Sequence, residues 1–562
     1  MEPLTSACIP RPSESNAPRT ASASLQAGIF LTILFAYLVC ESRTPPYIDS
    51  KQVYDVAESI VYRGSVKIPI PNGWGYAMHP FLPSAIHVPG AVLRRALASE
   101  NPELDKIVKP ITSHLGSEVM AALGCLVFFR LLLYLGVSAL AASLGTLALA
   151  FGTFLPIYAR TAWSEVCQAT CFIGFYSSLL RLKDEPGRKT GLWFGLWTGM
   201  LVNSKYMFAL ALQGAILFLG FQAWRSRKLH AFFKAGLWSL STGAAFVVLM
   251  LWYNWARTGA PSSTGYPTVS GLVASVFQEN ILFGLWSQFF SLGKNIFFYN
   301  PPLVLGVVAL PHVARTRPAC LWGLVLTAGP VLCLYSKFVY WSGDWCWGPR
   351  YLLFLVPAIL LVAVFAFDNG LRAKKKLLLA AWAAIFLIGL WVQVAGASQY
   401  WDHFIRVSKS VQAQWLGNPN RKGAYVGEMH GQCDPCFEDF YARTYTPAFQ
   451  PIEAHSWYLK HHLKSDPWAI AALDMPLRRY TSLDFEILRS WYEHPAWDWW
   501  KLSFVGRYHR AGNVLLVVMI LGLIGGILIV IYAWRCSQPN GFDQEGSSTG
   551  NAEKEEGEEY VA

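Results

Sequence analysis

Residues 47–89 read YIDSKQVYDVAESIVYRGSVKIPIPNGWGYAMHPFLPSAIHVP and form the first long polar interruption in a mostly apolar chain. This stretch follows the first apolar segment and places three carboxylates, Asp49, Asp55 and Glu58, within ten residues. A carboxylate close to membrane depth is costly and usually faces a cavity or a partner. We therefore expect this stretch to contribute a functional site at the membrane surface.

The composition is that of a membrane protein. Of the 562 residues, 54% are hydrophobic and 14% are charged, whereas soluble domains carry about 25% charge. The 24 Trp residues suit the aromatic belts at membrane interfaces. The net charge of +11 does not indicate nucleic-acid binding, because most basic residues lie in short loops between apolar segments.

Apolar stretches near twenty residues long recur along the chain. They predict an all-α polytopic membrane protein with about twelve transmembrane helices, a long first outer loop with interfacial helices, and a small outer-face region of mixed structure before the last helix. The predicted spans are 25–40, 117–135, 138–158, 163–181, 190–204, 206–223, 235–253, 301–314, 318–336, 350–367, 377–395 and 514–534.

The short loops rich in Lys and Arg fall on one side if the spans alternate, and that side should be cytoplasmic. The opposite, outer face then holds loops 41–115, 159–165, 254–300, 337–350 and 396–510. The predicted organisation is a disordered N-terminus (1–23), a transmembrane catalytic domain (24–395), an outer-face region (396–512), a last helix (513–535) and a disordered acidic tail (536–562).

Within the first outer loop, apolar residues recur at helical spacing from Ser50 and predict an amphipathic helix lying along the membrane surface. Asp55 and Glu58 fall on its polar face. Asp49, with Gln52 three residues on, also fits a capping box, so capping and catalysis are both open for Asp49. The rest of the loop is rich in Pro and Gly, which predicts irregular structure.

Two further outer loops carry candidate residues. In loop 159–165, Arg160 and Glu165 either pair with each other or serve a site. In loop 337–350, Asp344 and Arg350 stand among aromatic residues. Arg350 either snorkels to the interface or clamps a phosphate, because guanidinium matches phosphate oxygens in a fork.

Region 396–510 is long enough for a small domain. Its Cys433 and Cys436 suit a local disulfide in an oxidising compartment. His455, His461 and His462 match no strong zinc spacing and are predicted to be surface histidines.

Four motifs together resemble the membrane-embedded GT-C glycosyltransferases that use polyprenyl-phosphate sugars, and most closely the protein-mannosyltransferase-like and aminoarabinose-transferase-like bacterial proteins. The resemblance covers roughly residues 25–370. The motifs, in chain order, are YIDSKQVYDVAESIVYRG followed by HPFLPSAIHVPG, then YARTAWSE, GKNIFFYNPPLVLG and WSGDWCWGPRYLLFLVP.

The resemblance implies a catalytic acid at Asp49 and a second outer-face acid at Glu165. These two would also hold a divalent metal ion if the enzyme uses one; no other cofactor is implied. Two departures affect the metal and the donor contacts: Ser50 stands where many relatives carry a second acid, and His79 where a basic residue is common. The residues expected to bind substrate are Asp55, Glu58, Arg160, Lys205, Lys294, Tyr299, Asp344 and Arg350.

The implied function is transfer of a sugar from a polyprenyl-phosphate donor to a glycan, lipid or protein acceptor, with an Asp as general base and inversion at the sugar. The expected setting is the bacterial inner membrane, with membrane lipid around the chain, the site facing the periplasm and no nucleic-acid partner. A transporter or flippase of a lipid-linked or small polar substrate is the alternative, and a sugar-binding scaffold is a second one. The outer-loop position of the charged residues favours the enzyme.

Overall fold

The structure is a computed structural model. It describes residues 22–46, 49–70, 73–98, 100–264, 276–291, 293–343, 346–400, 452, 455–456, 459 and 497–537. Most of the predicted terminal tails (1–21 and 538–562), Asp344, the Cys433/Cys436 pair, His461 and His462 lie outside the described residues.

The described chain is mostly helical. Its helices are α1 (Ala23–Val39), α2 (Asp49–Arg63), α3 (Phe81–Ala85), α4 (Val88–Ala98), α5 (Pro102–Tyr134), α6 (Ala139–Gly152), α7 (Leu155–Ala159), α8 (Ser164–Asp184), α9 (Arg188–Ser204), α10 (Ala209–Arg225), α11 (Leu229–Thr258), α12 (Ile281–Phe290), α13 (Ile296–Tyr299), α14 (Leu303–Thr316), α15 (Pro318–Ser336), α16 (Val356–Arg372), α17 (Lys376–Ser398) and α18 (His509–Ser537). Short 3₁₀ turns precede α10 and α16 (Tyr206–Phe208 and Arg350–Leu355), and two more precede α18 (Trp500–Ser503 and Gly506–Tyr508).

Seven helical segments in the described ranges are long and apolar enough to cross a bilayer, and four shorter apolar helices accompany them. The chain is thus a multi-pass integral membrane protein. Each of the twelve predicted spans coincides with helix, 138–158 being divided between α6 and α7. The number of crossings itself stays a prediction.

Helix α8 forms the centre of the bundle. It packs against α5, α9 and the 3₁₀ turn Arg350–Leu355, and almost all of its residues are buried. Because neighbouring helices shield it from lipid, it can carry polar residues such as Gln168 and Thr170, which are buried as well. Thr170 satisfies its hydroxyl by donating to the carbonyl of Met120 at 2.8 Å.

The first outer loop is more ordered than its composition predicts. The predicted amphipathic helix is present as α2, and it packs on α3 and α4. Strands β1 (Ile68–Ile70) and β2 (Gly73–Gly75) pair antiparallel, with Ile68 opposite Gly75. The prediction of irregular structure was therefore wrong in part, because burial against α2 and α11 organises this segment. Helix α5 also begins at Pro102, well before the predicted start at 117.

The first and last spans of the described chain pack against each other. Glycines on both helices make this possible: a Cβ on Gly526 of α18 would lie 2.7 Å from the backbone nitrogen of Thr32, and one on Gly28 of α1 would lie 2.9 Å from that of Val530. Arg160 donates to the carbonyl oxygens of Ala397 and Asp498. These contacts join the C-terminal part of the described chain to α1 and to the segment between α7 and α8.

A glycine seam joins α9 to α11. Gly191, Gly195 and Gly199 recur every fourth residue on α9 and lie against α11 in parallel register. A Cβ on Gly195 would meet the Ser239 carbonyl oxygen at 2.1 Å. Small residues at this spacing let two membrane helices approach closely enough for backbone contact.

We predict that Gly195→Val destabilises the protein by about 1–3 kcal/mol, because the added side chain has to push α11 away. The matched control is Gly236→Ala on α11, where a Cβ meets nothing within 4 Å. Thermal unfolding in detergent should show a lower melting temperature than that of the native protein for Gly195→Val. The melting temperature of Gly236→Ala should not be lower than the native value. Equal melting temperatures would contradict the close packing of this seam.

Candidate active site

Four segments that are distant in sequence bring charged side chains together at one end of the bundle. Asp49 stands in the first turn of α2, and Glu165 in the first turn of α8. Lys205 follows the last residue of α9, and Arg350 opens the 3₁₀ turn before α16. Each residue is thus at the terminus of a helical element, where a side chain can leave the packed bundle.

Arg350 connects the two acids. Its Nη2 donates to Asp49 Oδ2 at 3.1 Å, and its Nε lies 3.8 Å from Glu165 Oε1. The side chains of Arg350 and Glu165 are 5% and 4% exposed, whereas that of Asp49 is 29% exposed. Asp49 is therefore the acid that an incoming molecule can reach, and Glu165 lies behind it.

Aromatic rings fix the guanidinium in place. Its carbon lies 3.9 Å from the centroid of the Trp163 ring, and Nη2 also donates to the Tyr351 hydroxyl at 3.0 Å. A guanidinium held over an aromatic face in a water-poor site is attracted by the ring quadrupole. Arg350 is therefore a fixed cation of the site and not a side chain that snorkels away from the membrane.

Lys205 supplies a second cation. Its Nζ lies 4.9 Å from the centroid of Tyr351 and 5.7 Å from that of Tyr335. These two rings are stacked, with centroids 5.0 Å apart. Tyr351 therefore contacts both cations and couples their positions.

His79 is the fifth charged or polar member of the site. Arg257 holds its segment by donating from Nη1 to the carbonyl oxygens of Ala77 and His79, at 2.7 and 3.1 Å. The imidazole interacts electrostatically with Asp49 and Lys205. Arg257 thus holds in place the loop that contains His79. Arg257 itself is not part of any motif quoted in the sequence analysis.

The electrostatics of the site favour an ionised Asp49. Burial raises the pKa of this carboxyl, but the charge of Arg350, helped by His79 and Lys205, lowers it below its ordinary value. Burial lowers the pKa of Lys205, and Glu165 acts against that change. Burial also lowers the pKa of His79, and the negative charge of Asp49 acts against that change.

Several polar atoms at this site are buried and make no hydrogen bond to a described residue. They are Arg350 Nη1, Glu165 Oε2 and His79 Nε2. Buried polar groups normally have partners, and an unpaired one costs free energy. Arg350 Nη1, a donor left open on a cation, is suited to an anionic ligand such as a phosphate.

Two of the predicted substrate residues lie in ion pairs of their own. Asp55 is buried and accepts from Lys51 at 2.5 Å. Glu58 pairs with Arg94 and lies 3.6 Å from Lys109 Nζ. Neither has a described contact with Arg350, so the structure separates them from Asp49 although all three share α2.

The remaining predicted residues also have structural roles. Arg160 pairs with Asp498 at 3.3 Å and not with Glu165. Lys294 Nζ lies 3.9 Å from Cys346 Sγ, and the Tyr299 hydroxyl donates to the Gly293 carbonyl at 3.1 Å. The Tyr299 ring also packs edge-on against Trp347 at 5.2 Å, so Lys294 and Tyr299 both contact the segment that leads to Arg350.

The position of His455 differs from the prediction. It was expected at the surface, but it is fully buried, with Nδ1 3.0 Å from the Ala395 carbonyl oxygen. Its ring also packs edge-on against Trp347 at 5.0 Å. No sequence spacing pointed to this contact, which joins two segments 108 positions apart.

The two acids proposed as metal ligands do not form a metal cluster with other side chains. Among the described residues, no group of three or more His, Cys, Asp or Glu is placed to hold a metal ion. Asp49 and Glu165 both face the Arg350 guanidinium, which supplies the neutralising charge between them. The residues present therefore fit a phosphate better than a metal ion.

Comparisons with known proteins give two solved structures with a partial likeness to this chain. No family model and no curated protein sequence matches the chain. Among solved structures, it is similar to ArnT from Cupriavidus metallidurans bound to undecaprenyl phosphate, with 14% identity and a TM-score of 0.46. The apo state of the same protein gives 16% identity and a TM-score of 0.42. Each match covers 91% of this chain and 76% of that one.

We predict that Arg350→Gln raises the pKa of Asp49, because burial would then act without the opposing charge of the guanidinium. Asp49 would take up its proton at a higher pH than in the native protein. Isotope-edited infrared spectroscopy of the Asp carboxyl band measures this titration. Arg94→Gln, which removes a buried guanidinium paired with Glu58, is the control and should leave the Asp49 titration in place.

Proposed function

We propose that this protein is a membrane glycosyltransferase that moves a sugar from a polyprenyl-phosphate donor to an acceptor. The observation that carries the proposal is an accessible carboxylate, Asp49, paired with the Arg350 guanidinium, with a second cation, Lys205, on the same Tyr351 ring as Arg350. Glycosyl transfer from a lipid phosphate needs both a base for the acceptor and positive charge for the departing phosphate. The sequence motifs that resemble the GT-C class contain Asp49 and Arg350, whereas Lys205 lies outside them.

In the proposed reaction, Asp49 removes the proton from an acceptor hydroxyl as that oxygen attacks the anomeric carbon of the sugar. The bond from this carbon to the phosphate oxygen breaks, and the electron pair leaves with the polyprenyl phosphate. Attack opposite to the leaving group inverts the anomeric centre. The proton ends on Asp49 and the additional negative charge on the phosphate.

Arg350 and Lys205 would hold the phosphate. The free Nη1 of Arg350, which makes no hydrogen bond to a described residue, is a donor for a phosphate oxygen. Glu165 would orient the guanidinium from behind through Nε. A bound phosphate also brings negative charge close to Asp49, which raises the pKa of its carboxyl. Donor binding would thus turn a weakly basic carboxylate into a better base.

We place the site at the outer face of the bacterial inner membrane, in contact with the periplasm. The distribution of Lys and Arg among the loops supports this orientation. The polyprenyl chain would lie in the membrane beside the bundle, with its phosphate at the ends of α2, α8 and α9. Glycan, lipid and protein acceptors all carry nucleophiles that suit this chemistry.

The test is a transfer assay with the purified protein in nanodiscs, a panel of polyprenyl-phosphate sugars and crude envelope acceptors. We expect Asp49→Asn to lower transfer by about 10²–10⁴-fold, because the amide cannot take a proton. Asp184→Asn, an exposed acid at the opposite end of α8, is the matched control. It should transfer as well as the native protein.

Release of free polyprenyl phosphate that disappears only in the Asp49 variant would support the proposal. Full transfer by Asp49→Asn would contradict the role of this residue. Transport of a lipid-linked substrate without any sugar release would favour the flippase alternative. Parallel reactions with and without EDTA determine whether a divalent ion is needed.

A further inference from the structure

A groove outside the candidate active site runs along the seam between α9 and α11. It encloses about 460 Å³. Its lining is apolar along most of its length and basic at one end. The lining residues are Arg188, Lys189, Leu192, Trp193, Leu196 and Thr242.

The groove opens toward lipid. Only 6% of the most apolar window of α11 is buried, and the Trp193 side chain is half exposed. The floor is closed by the glycine seam, where Gly191 and Gly195 approach the backbone of α11. The Thr242 hydroxyl donates to the Leu192 carbonyl at 3.0 Å, so the wall presents apolar atoms to an occupant.

The basic end of the groove and the candidate active site lie at opposite ends of α9. Arg188 is the first residue of α9, and Lys205 follows its last residue. Seventeen helical residues span about 25 Å, close to the thickness of the hydrocarbon core. With the candidate site at the outer interface, Arg188 and Lys189 lie at the inner interface, and Leu196 lies about 12 Å deeper in the inner leaflet.

The two cations are available for a ligand. Neither Arg188 nor Lys189 forms an ion pair within the described ranges of the chain, and both are exposed. The Arg188 guanidinium is held 4.7 Å from the centroid of Trp238 on α11. This contact fixes one positive charge at the mouth of the groove. Basic pockets between membrane helices on the cytoplasmic side recognise anionic lipid headgroups.

We propose that this groove binds an anionic diacyl phospholipid of the inner leaflet. The phosphate would contact Arg188 and Lys189, and one acyl chain would lie along Leu192, Trp193 and Leu196. Charge complementarity and the depth of the groove favour this occupant. The proposal does not depend on the proposed enzymatic function.

Native mass spectrometry of the delipidated full chain measures the binding directly. The probes are phosphatidylglycerol and phosphatidylcholine with identical acyl chains, and we expect the native protein to prefer phosphatidylglycerol. Removing both charges in R188Q/K189Q should weaken phosphatidylglycerol binding about 30-fold, since each basic residue near a lipid surface contributes roughly a fivefold preference. The matched control R315Q/K375Q removes two exposed charges from other basic loops and should bind as the native protein does.

A second variant tests the apolar part of the groove. Leu196→Trp fills it without changing charge and should also weaken phosphatidylglycerol binding. Melting temperatures near the native value verify that all variants fold. Unchanged binding by R188Q/K189Q, or an equal loss in R315Q/K375Q, would overturn the proposal. Displacement of phosphatidylglycerol from the groove by polyprenyl phosphate at equal concentration would also overturn it, by assigning the groove to the carrier lipid.

Discussion

The buried guanidinium of Arg350 is the charge on which the candidate site depends. An isolated ion in a water-poor interior is expensive, and such charges persist only where partners neutralise them. Asp49 and Glu165 supply that neutralisation from two different helices, and Trp163 supplies a ring face. The ends of α2, α8 and α16 are consequently held together by one side chain, and this arrangement leaves a donor open for a ligand.

The helices around this charge differ in how far they are exposed to lipid. Helix α8 is shielded on all sides and can carry polar residues, whereas α11 faces lipid along most of its length. Glycines determine where helices approach most closely, both in the seam between α9 and α11 and between α1 and α18. The proposed lipid groove lies beside the seam between α9 and α11. The candidate site and the groove thus lie at opposite ends of α9.

Sequence reasoning found much of the site because its members stand in short motifs at the ends of apolar segments. Asp49, Glu165, Arg350 and Lys205 were all proposed, and the structure brings them together. Trp163 and Tyr351 adjoin these residues in the same motifs but were indistinguishable from ordinary interfacial aromatics. Asp55 and Glu58 were grouped with Asp49 by proximity in sequence. The structure separates them, because Lys51 and Arg94 neutralise them locally.

The sequence by itself determined the membrane setting, the positions of the apolar helices and the amphipathic α2, because hydrophobicity and its period are local properties of the chain. Only the tertiary structure decided the partners of each buried charge. Arg160 could pair with Glu165 five residues away, yet it pairs with Asp498, 338 positions along the chain. The buried His455 ring likewise packs against Trp347, which is distant in sequence. The partner of a buried charge or ring depends on which helix ends are packed together in the folded protein. Neither the composition nor the periodicity of the sequence specifies which helix ends those are.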